Sequence, residues 1–257
     1  MNESASLTLV VPCYNEALRL DREAFVQALT TMGWLNLCFV DDGSTDGTGA
    51  LLREMQAVHP SRIEVVTLSQ NSGKAEAVRQ GLLRAMARSP EVGFWDADLA
   101  APLDEVLPLR EVLAQTPSAE WVWGIRLRAL GRVVERRALR HYLGRLFATA
   151  ASLLLDVPSY DTQCGAKLFR SGPLLREVLS EPFRSRWIFD VELLTRALAL
   201  REGSGQPAGA TALVYEQPLT VWTHRAGSKV RPTDFLRALR ELLVVRRARA
   251  RWRRSVP

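Results

Sequence analysis

The sequence predicts an α/β fold built on a mostly parallel sheet. Two observations carry that prediction. Strand-like and helix-like stretches alternate through the first half of the chain, and the chemistry-bearing motifs fall directly after the strand-like stretches. In a parallel sheet that is where the functional loops sit.

The elements follow in order. Leu7–Val11 is apolar and β-branched, and Pro12 is expected to stop it. Leu35–Val40 is a second strand, closed by Asp41-Asp42-Gly43, and Ile63–Leu68 and Val92–Trp95 are the third and fourth. Helical periodicity covers about 23–32, 47–58 and 73–88 between them. Beyond Pro117, Glu120–Ile125 reads as another strand. Arg132–Leu155 reads as a helix, with Leu139, Leu143, Leu146, Ala150 and Leu153 on one stripe and Arg137, His141 and Arg145 on another face. Gly203–Gly209 is a surface loop, and Thr211–Tyr215 and Leu219–Thr223 are short strands around Pro218. From Asp234 to about Arg251 runs a basic amphipathic helix. No repeat, linker or composition shift divides the chain, so one domain over 1–257 is expected.

Composition is that of a globular protein: 257 residues, 47% hydrophobic and 24% charged. Cys13, Cys38 and Cys164 form no CxxC pair, which argues against a disulfide framework or a zinc site and fits a reducing cytosol. The first residues carry no basic segment ahead of an apolar run, so no signal peptide is read. No apolar run approaches the ~18 residues that cross a bilayer. Charge is unevenly placed. From Arg225 to Pro257 eleven Arg or Lys face only Asp234 and Glu241, and from Arg126 to Arg145 seven Arg face Glu135. Such clusters point to an anionic partner: nucleic acid, anionic lipid or a phosphorylated substrate.

Five groups of residues carry chemistry. Asp96-Ala97-Asp98 follows an apolar strand, and two carboxylates so spaced at a backbone turn can share one hard cation such as Mg²⁺ or Mn²⁺ with diphosphate oxygens and water. A solvated acidic turn is the competing reading. Asp41-Asp42 ends the second strand, where a carboxylate accepts from a base N–H or a ribose hydroxyl. Asp46, by contrast, suits the cap of the following helix. Asn71-Ser72-Gly73-Lys74 opens a helix, a plausible phosphate site that lacks Walker spacing. The fourth group is Asp161–Arg170. The fifth is Phe189–Leu194, in which Asp190 and Glu192 would not share a helix face.

In this order the pieces resemble family-two glycosyltransferases of the GT-A fold, above all the dolichyl-phosphate glucosyltransferase and polyprenyl-phosphate sugar transferase branch. Val10-Val11-Pro12-Cys13-Tyr14-Asn15-Glu16 is similar to the family's first donor-binding strand and loop. Phe39–Thr48 resembles its base-recognising segment, Asn71–Leu82 its Gly-Lys helix start, and Asp96-Ala97-Asp98 its metal motif. Gly124-Ile125-Arg126 resembles the Gly-Ser-Arg segment beyond, with Ile for Ser. The Asp161–Phe169 and Phe189–Leu194 stretches resemble acceptor-side motifs, and Trp222–Val230 the C-terminal loop. Three departures stand out: Ala75 replaces a common glycine, apolar Leu99-Ala100-Ala101 replaces residues that could offer a third ligand, and the membrane-spanning C-terminal helices of some relatives have no counterpart.

The resemblance implies a nucleotide-sugar-binding half over about 7–116, an acceptor half over about 117–230 and the basic helix beyond. It implies inverting, metal-dependent transfer, glucose favoured, to a polyprenyl or dolichyl phosphate. The donor, UDP-glucose before GDP-mannose, would contact Pro12, Tyr14, Asn15, Glu16, Asp41, Asp42, Lys74 and Asp96-Ala97-Asp98, with Asp96 and Asp98 on Mg²⁺ or Mn²⁺. A lipid phosphate is already an anion and needs cations rather than a general base to receive the sugar. Arg126, Arg136, Arg137, Arg140, Ser228 and Lys229 are the candidates. A carbohydrate hydroxyl acceptor would need a base, for which Asp190 and then Asp161 come forward; each could equally hold a cationic side chain in place. The basic segments fit a peripheral position on the cytoplasmic face of an anionic membrane, and no motif supports nucleic acid. A sugar nucleotidyltransferase would open on a Gly-rich loop, which Val10–Glu16 is not. A non-catalytic sugar-nucleotide or lipid binder would not need the metal pair and the Arg set together.

Overall fold

The computed structural model of the chain describes residues 6–134, 149, 151–152, 159–206, 209–223 and 232–254. The elements alternate as expected over the first half: β1 (Leu7–Cys13), α1 (Arg22–Thr31), β2 (Leu35–Asp41), α2 (Thr48–Val58), β3 (Ile63–Thr67), α3 (Lys74–Met86) and β4 (Glu91–Trp95). Then come α4 (Val106–Gln115), β5 (Trp121–Ile125), β6 (Val133–Val134), β7 (Ala166–Arg170), α5 (Pro173–Val178), α6 (Phe189–Gly203), β8 (Val214–Pro218), β9 (Val221–Trp222) and α7 (Pro232–Arg254).

Seven strands form one sheet in the order β3-β2-β1-β4-β7-β5-β8. The β3-β2-β1-β4 half is parallel; β7 runs antiparallel between β4 and β5, and β8 is parallel to β5. Period-two alternation splits the apolar residues between two faces. Val10, Val40, Phe94, Trp121 and Phe169 pack with α3, α6 and α7, while Leu9, Val11, Phe39, Trp95 and Val122 face α1 and α4. The carboxyl ends of β1, β2 and β4 therefore open on one edge between two helical layers.

Several expectations need correction. β1 does not stop at Pro12 but continues to Cys13. Its ladder with β4 ends at Val10↔Phe94, so by Pro12 the strand pairs on the β2 side alone and a missing N–H is tolerated there. The helix expected from Arg132 does not begin there. Val133–Val134 instead pairs in parallel with Val221–Trp222, as β-branched residues favour. Of the rest of that helix, residues 149, 151 and 152 are helical and the others lie outside the described residues. The strand expected over Thr211–Tyr215 is a 3₁₀ turn, Ala210–Ala212, followed by β8.

Two helices gave no clear sequence signal. α4 has Pro108 in its first turn, where no intrahelical N–H is needed. α6 is buried at every position from Phe189 to Leu200, so it shows no polar stripe for a 3.6 period to reveal.

Candidate active site

A cleft of about 280 Å³ opens at the carboxyl ends of β1, β2 and β4 against the start of α3. Pro12, Tyr14 and Glu16 line it from the first loop, Asp42 from the second, Gly73 and Lys74 from α3, and Asp96, Ala97 and Asp98 from the loop after β4.

The first two loops are stitched together. Asn15 sits at φ 53, a conformation that asparagine tolerates better than most residues. Its N–H donates to Ser44 Oγ at 3.0 Å, and its Oδ1 accepts from Thr45 N–H at 2.9 Å. Asp41 Oδ1 accepts from Ser44 N–H at 3.0 Å, which closes the turn. Neither Asn15 nor Asp41 lines the cleft. Asp46 accepts from the Thr48 N–H at 2.9 Å at the start of α2. Gly43, at φ +66, lies so close to the 70–71 backbone that a Cβ would come within 2.5 Å of the Gln70 carbonyl carbon. Only glycine allows the second and third loops to meet there.

Asp42 spans that junction. Its two oxygens accept the Ser72 and Gly73 N–H groups at 2.7 and 2.8 Å. Burial pushes its carboxyl above the ordinary range, against the pull of those two N–H groups and the nearby charge of Arg186.

The loop after β4 is tightly turned. Leu99 is held at φ 49, costly for an ordinary side chain, while itself buried. Asp98 Oδ1 accepts the Ala100 N–H at 3.0 Å. Burial, and next the charge of Asp96, push Asp98 up. Asp96 hydrogen-bonds Lys74 Nζ. Burial works against the Lys74 ammonium, but Asp96 and then Asp190 outweigh it and the lysine is held above its ordinary value. Gly165 backs this arrangement: a Cβ there would lie 2.0 Å from Asp96 Oδ2 and 2.5 Å from Oδ1. The Asp96 carboxylate fills the space that a side chain at 165 would take.

The acceptor-side candidates sit deeper. Arg126 grips Asp161 with its fork, Nε and Nη2 each 2.6 Å from a carboxylate oxygen, and its backbone N–H adds a third bond at 3.1 Å. Asp161 holds Arg126 above its ordinary range despite burial. Lys167 is wholly buried between Phe94 and Trp123, and its Nζ bonds Asp190 Oδ1 at 2.7 Å, Thr162 O at 2.8 Å and Cys164 O at 2.5 Å. Asp161 and Asp190 thus each engage a cation. Glu192 points elsewhere, to Arg196 at 2.6 Å and to the Ser185 N–H at 2.7 Å. Arg136, Arg137, Arg140, Ser228 and Lys229 lie outside the described residues.

All three thiols are buried, and burial pushes Cys38 and Cys164 up to about 12. Burial disfavours the thiolate that a cysteine nucleophile would need. Among the described residues no three His, Cys, Asp or Glu gather as a closed metal site would require. What remains is an open pair of carboxylates facing a cleft, beside a lysine.

The glycosyl transferase family 2 model matches residues 8–175. The chain belongs to glycosyl transferase family 2. The dolichyl-phosphate beta-glucosyltransferase of Saccharomyces cerevisiae is 29% identical over 96% of this chain and 76% of its own length. That of Drosophila melanogaster is 30% identical over 94% and 74%. A polyprenol monophosphomannose synthase of Mycolicibacterium smegmatis is 27% identical over 74% and 71%. Among solved structures, glucosyl-3-phosphoglycerate synthase from Mycobacterium tuberculosis, in complex with Mn²⁺, UDP-glucose and phosphoglyceric acid, superposes with a TM-score of 0.65 at 21% identity, over 99% of this chain and 81% of that one. The glycosyltransferase therefore has the GT-A architecture, a mostly parallel sheet between helices.

Sequence reasoning passed over Arg186, and it gave Gly165 and Lys167, inside the Asp161–Arg170 group, no role of their own. Arg186 and Gly165 act on Ser72–Gly73 and Asp96, and Lys167 on Asp190, all distant in sequence.

Proposed function

We propose that this glycosyltransferase moves a sugar, glucose favoured, from a nucleoside-diphosphate donor to a polyprenyl or dolichyl phosphate with inversion. The observation that carries the reading is the Asp96–Asp98 pair at the mouth of the cleft, beside Lys74, in a chain whose relatives are named as dolichyl-phosphate glucosyltransferases and a polyprenol monophosphomannose synthase. UDP-glucose is the favoured donor, in line with the solved neighbour bound to it; GDP-mannose is the second.

The residues fit Mg²⁺ or Mn²⁺. Two carboxylates on one open turn leave room for diphosphate oxygen and water in the rest of the shell. A bound divalent cation supplies Lewis-acid stabilisation of the charge that develops on the departing diphosphate. Lys74, exposed enough to leave Asp96, supplies a second positive charge to the same phosphates. Asp42, Pro12 and Tyr14 line the remainder of the donor cleft.

The acceptor side agrees with an anionic nucleophile. Asp161 and Asp190, the carboxylates considered as bases, are each spent on a cation. A phosphate acceptor needs no proton removed. In this reading Arg126 positions the 159–165 loop, and the arginines of 136–140 meet the acceptor.

The acceptor would reach the enzyme at an anionic membrane surface. α7 buries Ala238, Leu242, Val245, Ala248 and Trp252 and exposes Arg240, Leu243, Val244, Arg247 and Arg254 on the opposite side. An arginine face with two aliphatic residues in it suits the headgroup region of such a bilayer. Among the described residues no helix is long and apolar enough to cross a membrane.

The test is sugar transfer from a panel of labelled nucleotide sugars to undecaprenyl phosphate, with Mg²⁺, with Mn²⁺ and with chelator. A metal-dependent glycolipid product is expected. Donor hydrolysis without glycolipid, or transfer only to a free carbohydrate, would remove the lipid-phosphate acceptor.

A further inference from the structure

The segment 186–188 touches parts of the molecule that share no sequence neighbourhood. Arg186 Nη2 donates to the Ser72 carbonyl at 3.2 Å. Its guanidinium lies over Gly73, with Nη2, Nε and Cζ 3.2, 3.4 and 3.7 Å from where a Cβ of that residue would be. The segment is held from behind by Glu241 of α7. Glu241 Oε2 accepts the Trp187 and Ile188 N–H groups at 3.0 and 3.2 Å, and Oε1 accepts the Arg186 N–H at 3.4 Å.

The Ser72–Gly73 peptide is thus clamped on two sides. Asp42 accepts the Ser72 and Gly73 N–H groups and Arg186 donates to the Ser72 carbonyl. The clamp is needed because Gly73 sits at φ +93, ψ 157, outside the helical region, on the residue just before α3 begins. The Gly73 carbonyl then accepts the Glu76 and Ala77 N–H groups at 3.0 and 3.1 Å, which sets the direction of the helix. Lys74, the next residue, reaches Asp96. A shift of this peptide moves the lysine and the cleft wall together.

We infer that Arg186 and Glu241 form a strut by which the C-terminal helix α7 positions the nucleoside-diphosphate site, although neither residue touches the metal pair. Both lie beyond residues 8–175, the stretch matched by the family. They are positioning residues acting through Ser72–Gly73. The inference rests on the cleft being the donor site, as proposed above.

The test is calorimetric binding of UDP and of GDP to the full chain, with Mn²⁺, for wild type, Arg186→Ala, Arg186→Lys, Glu241→Ala, Glu241→Gln and the Arg186→Ala/Glu241→Ala double variant. A charge-assisted hydrogen bond that holds a binding loop in place is worth about tenfold or more when it is removed. Affinity is therefore expected to fall about tenfold or more in either alanine variant, and the double variant to lose little beyond the worse single one. Glu241→Gln retains a side-chain oxygen for the Trp187 and Ile188 N–H groups and is expected to bind like wild type, which a requirement for charge alone would not permit. In turnover, the donor KM should rise while the acceptor KM stays. Wild-type affinity in both alanine variants, or additive losses, overturns the strut and leaves the donor site standing. Failure of the wild type to bind any nucleoside diphosphate overturns both.

Discussion

Two carboxylate–lysine pairs in this enzyme each bring their ammonium to the Phe94 ring and differ in exposure. In the Lys74–Asp96 pair the side chains are 41% and 35% exposed; in the Lys167–Asp190 pair they are 0% and 7%. The open pair faces the cleft, where water and ligand compete for both partners, so its own contribution to stability is about 0–1 kcal/mol. The closed pair has no such alternative. Lys167 gives its other donors to the Thr162 and Cys164 carbonyls, and so fixes the loop whose Gly165 backs Asp96. The same chemical pair thus stands open to solvent in one place and is a fixed support in the other. Burial decides which.

The largest expected effect breaks the closed pair. Lys167→Met strands Asp190 in the interior and should cost about 3–5 kcal/mol in chemical denaturation. Asp190→Asn separates two roles. A supporting carboxylate loses stability on neutralisation, whereas a general base loses turnover and leaves the denaturation midpoint in place. We expect a clear drop in the midpoint, and an unchanged one would return Asp190 to the chemistry. Next comes the open side. Asp98→Ala removes a carboxylate that burial already disfavours as a charge, so stability should hold. Metal-dependent turnover should fall by at least about a hundredfold, and full activity would end the metal assignment.

Gly165→Ala sharpens the contrast further. The added methyl group meets the Asp96 carboxylate, which can swing into the open cleft. Activity should drop about tenfold or more while the fold loses little. Gly81→Ala is the control: its methyl group would come within 2.3 Å of Val10 Cγ1 in the core, where nothing can swing away. There stability should fall by about 1–3 kcal/mol. If the two variants behaved alike, the exposure argument would fail.

How much of this could be read beforehand follows the range of the interactions. β1 to β4, α1 to α3 and the loops after the strands were legible because periodicity and turn chemistry are local. The GT-A fold followed from the ordered motifs. α6 escaped because a helix buried all round has no stripe, and Val133–Val134 because its partner strand lies at Val221–Trp222. Asp41 and Asp42 look equivalent in sequence. Only the meeting of the second and third loops at Gly43 shows that one closes its own turn while the other holds Ser72 and Gly73. The partners of Asp161 and Asp190 could not be read either, since Arg126 is 35 residues and Lys167 is 23 residues away in sequence.

The smallest expected effect concerns the outer face of α7. Its inner face already satisfies the fold through Leu242, Val245 and Trp252, so the outer arginines are not needed for packing. Each arginine at an anionic bilayer contributes about 1 kcal/mol. Arg247→Ala should therefore weaken binding to phosphatidylglycerol vesicles by about fivefold, and Arg240→Ala/Arg247→Ala/Arg254→Ala by about a hundredfold, with no change on phosphatidylcholine. Hydrolysis of a soluble donor should be unaffected, because the stripe lies on the far side of α7 from the residues it buries. Co-sedimentation with vesicles measures the first effect and a coupled nucleotide assay the second. Equal sedimentation of wild type and triple variant would detach the acceptor's membrane from this helix.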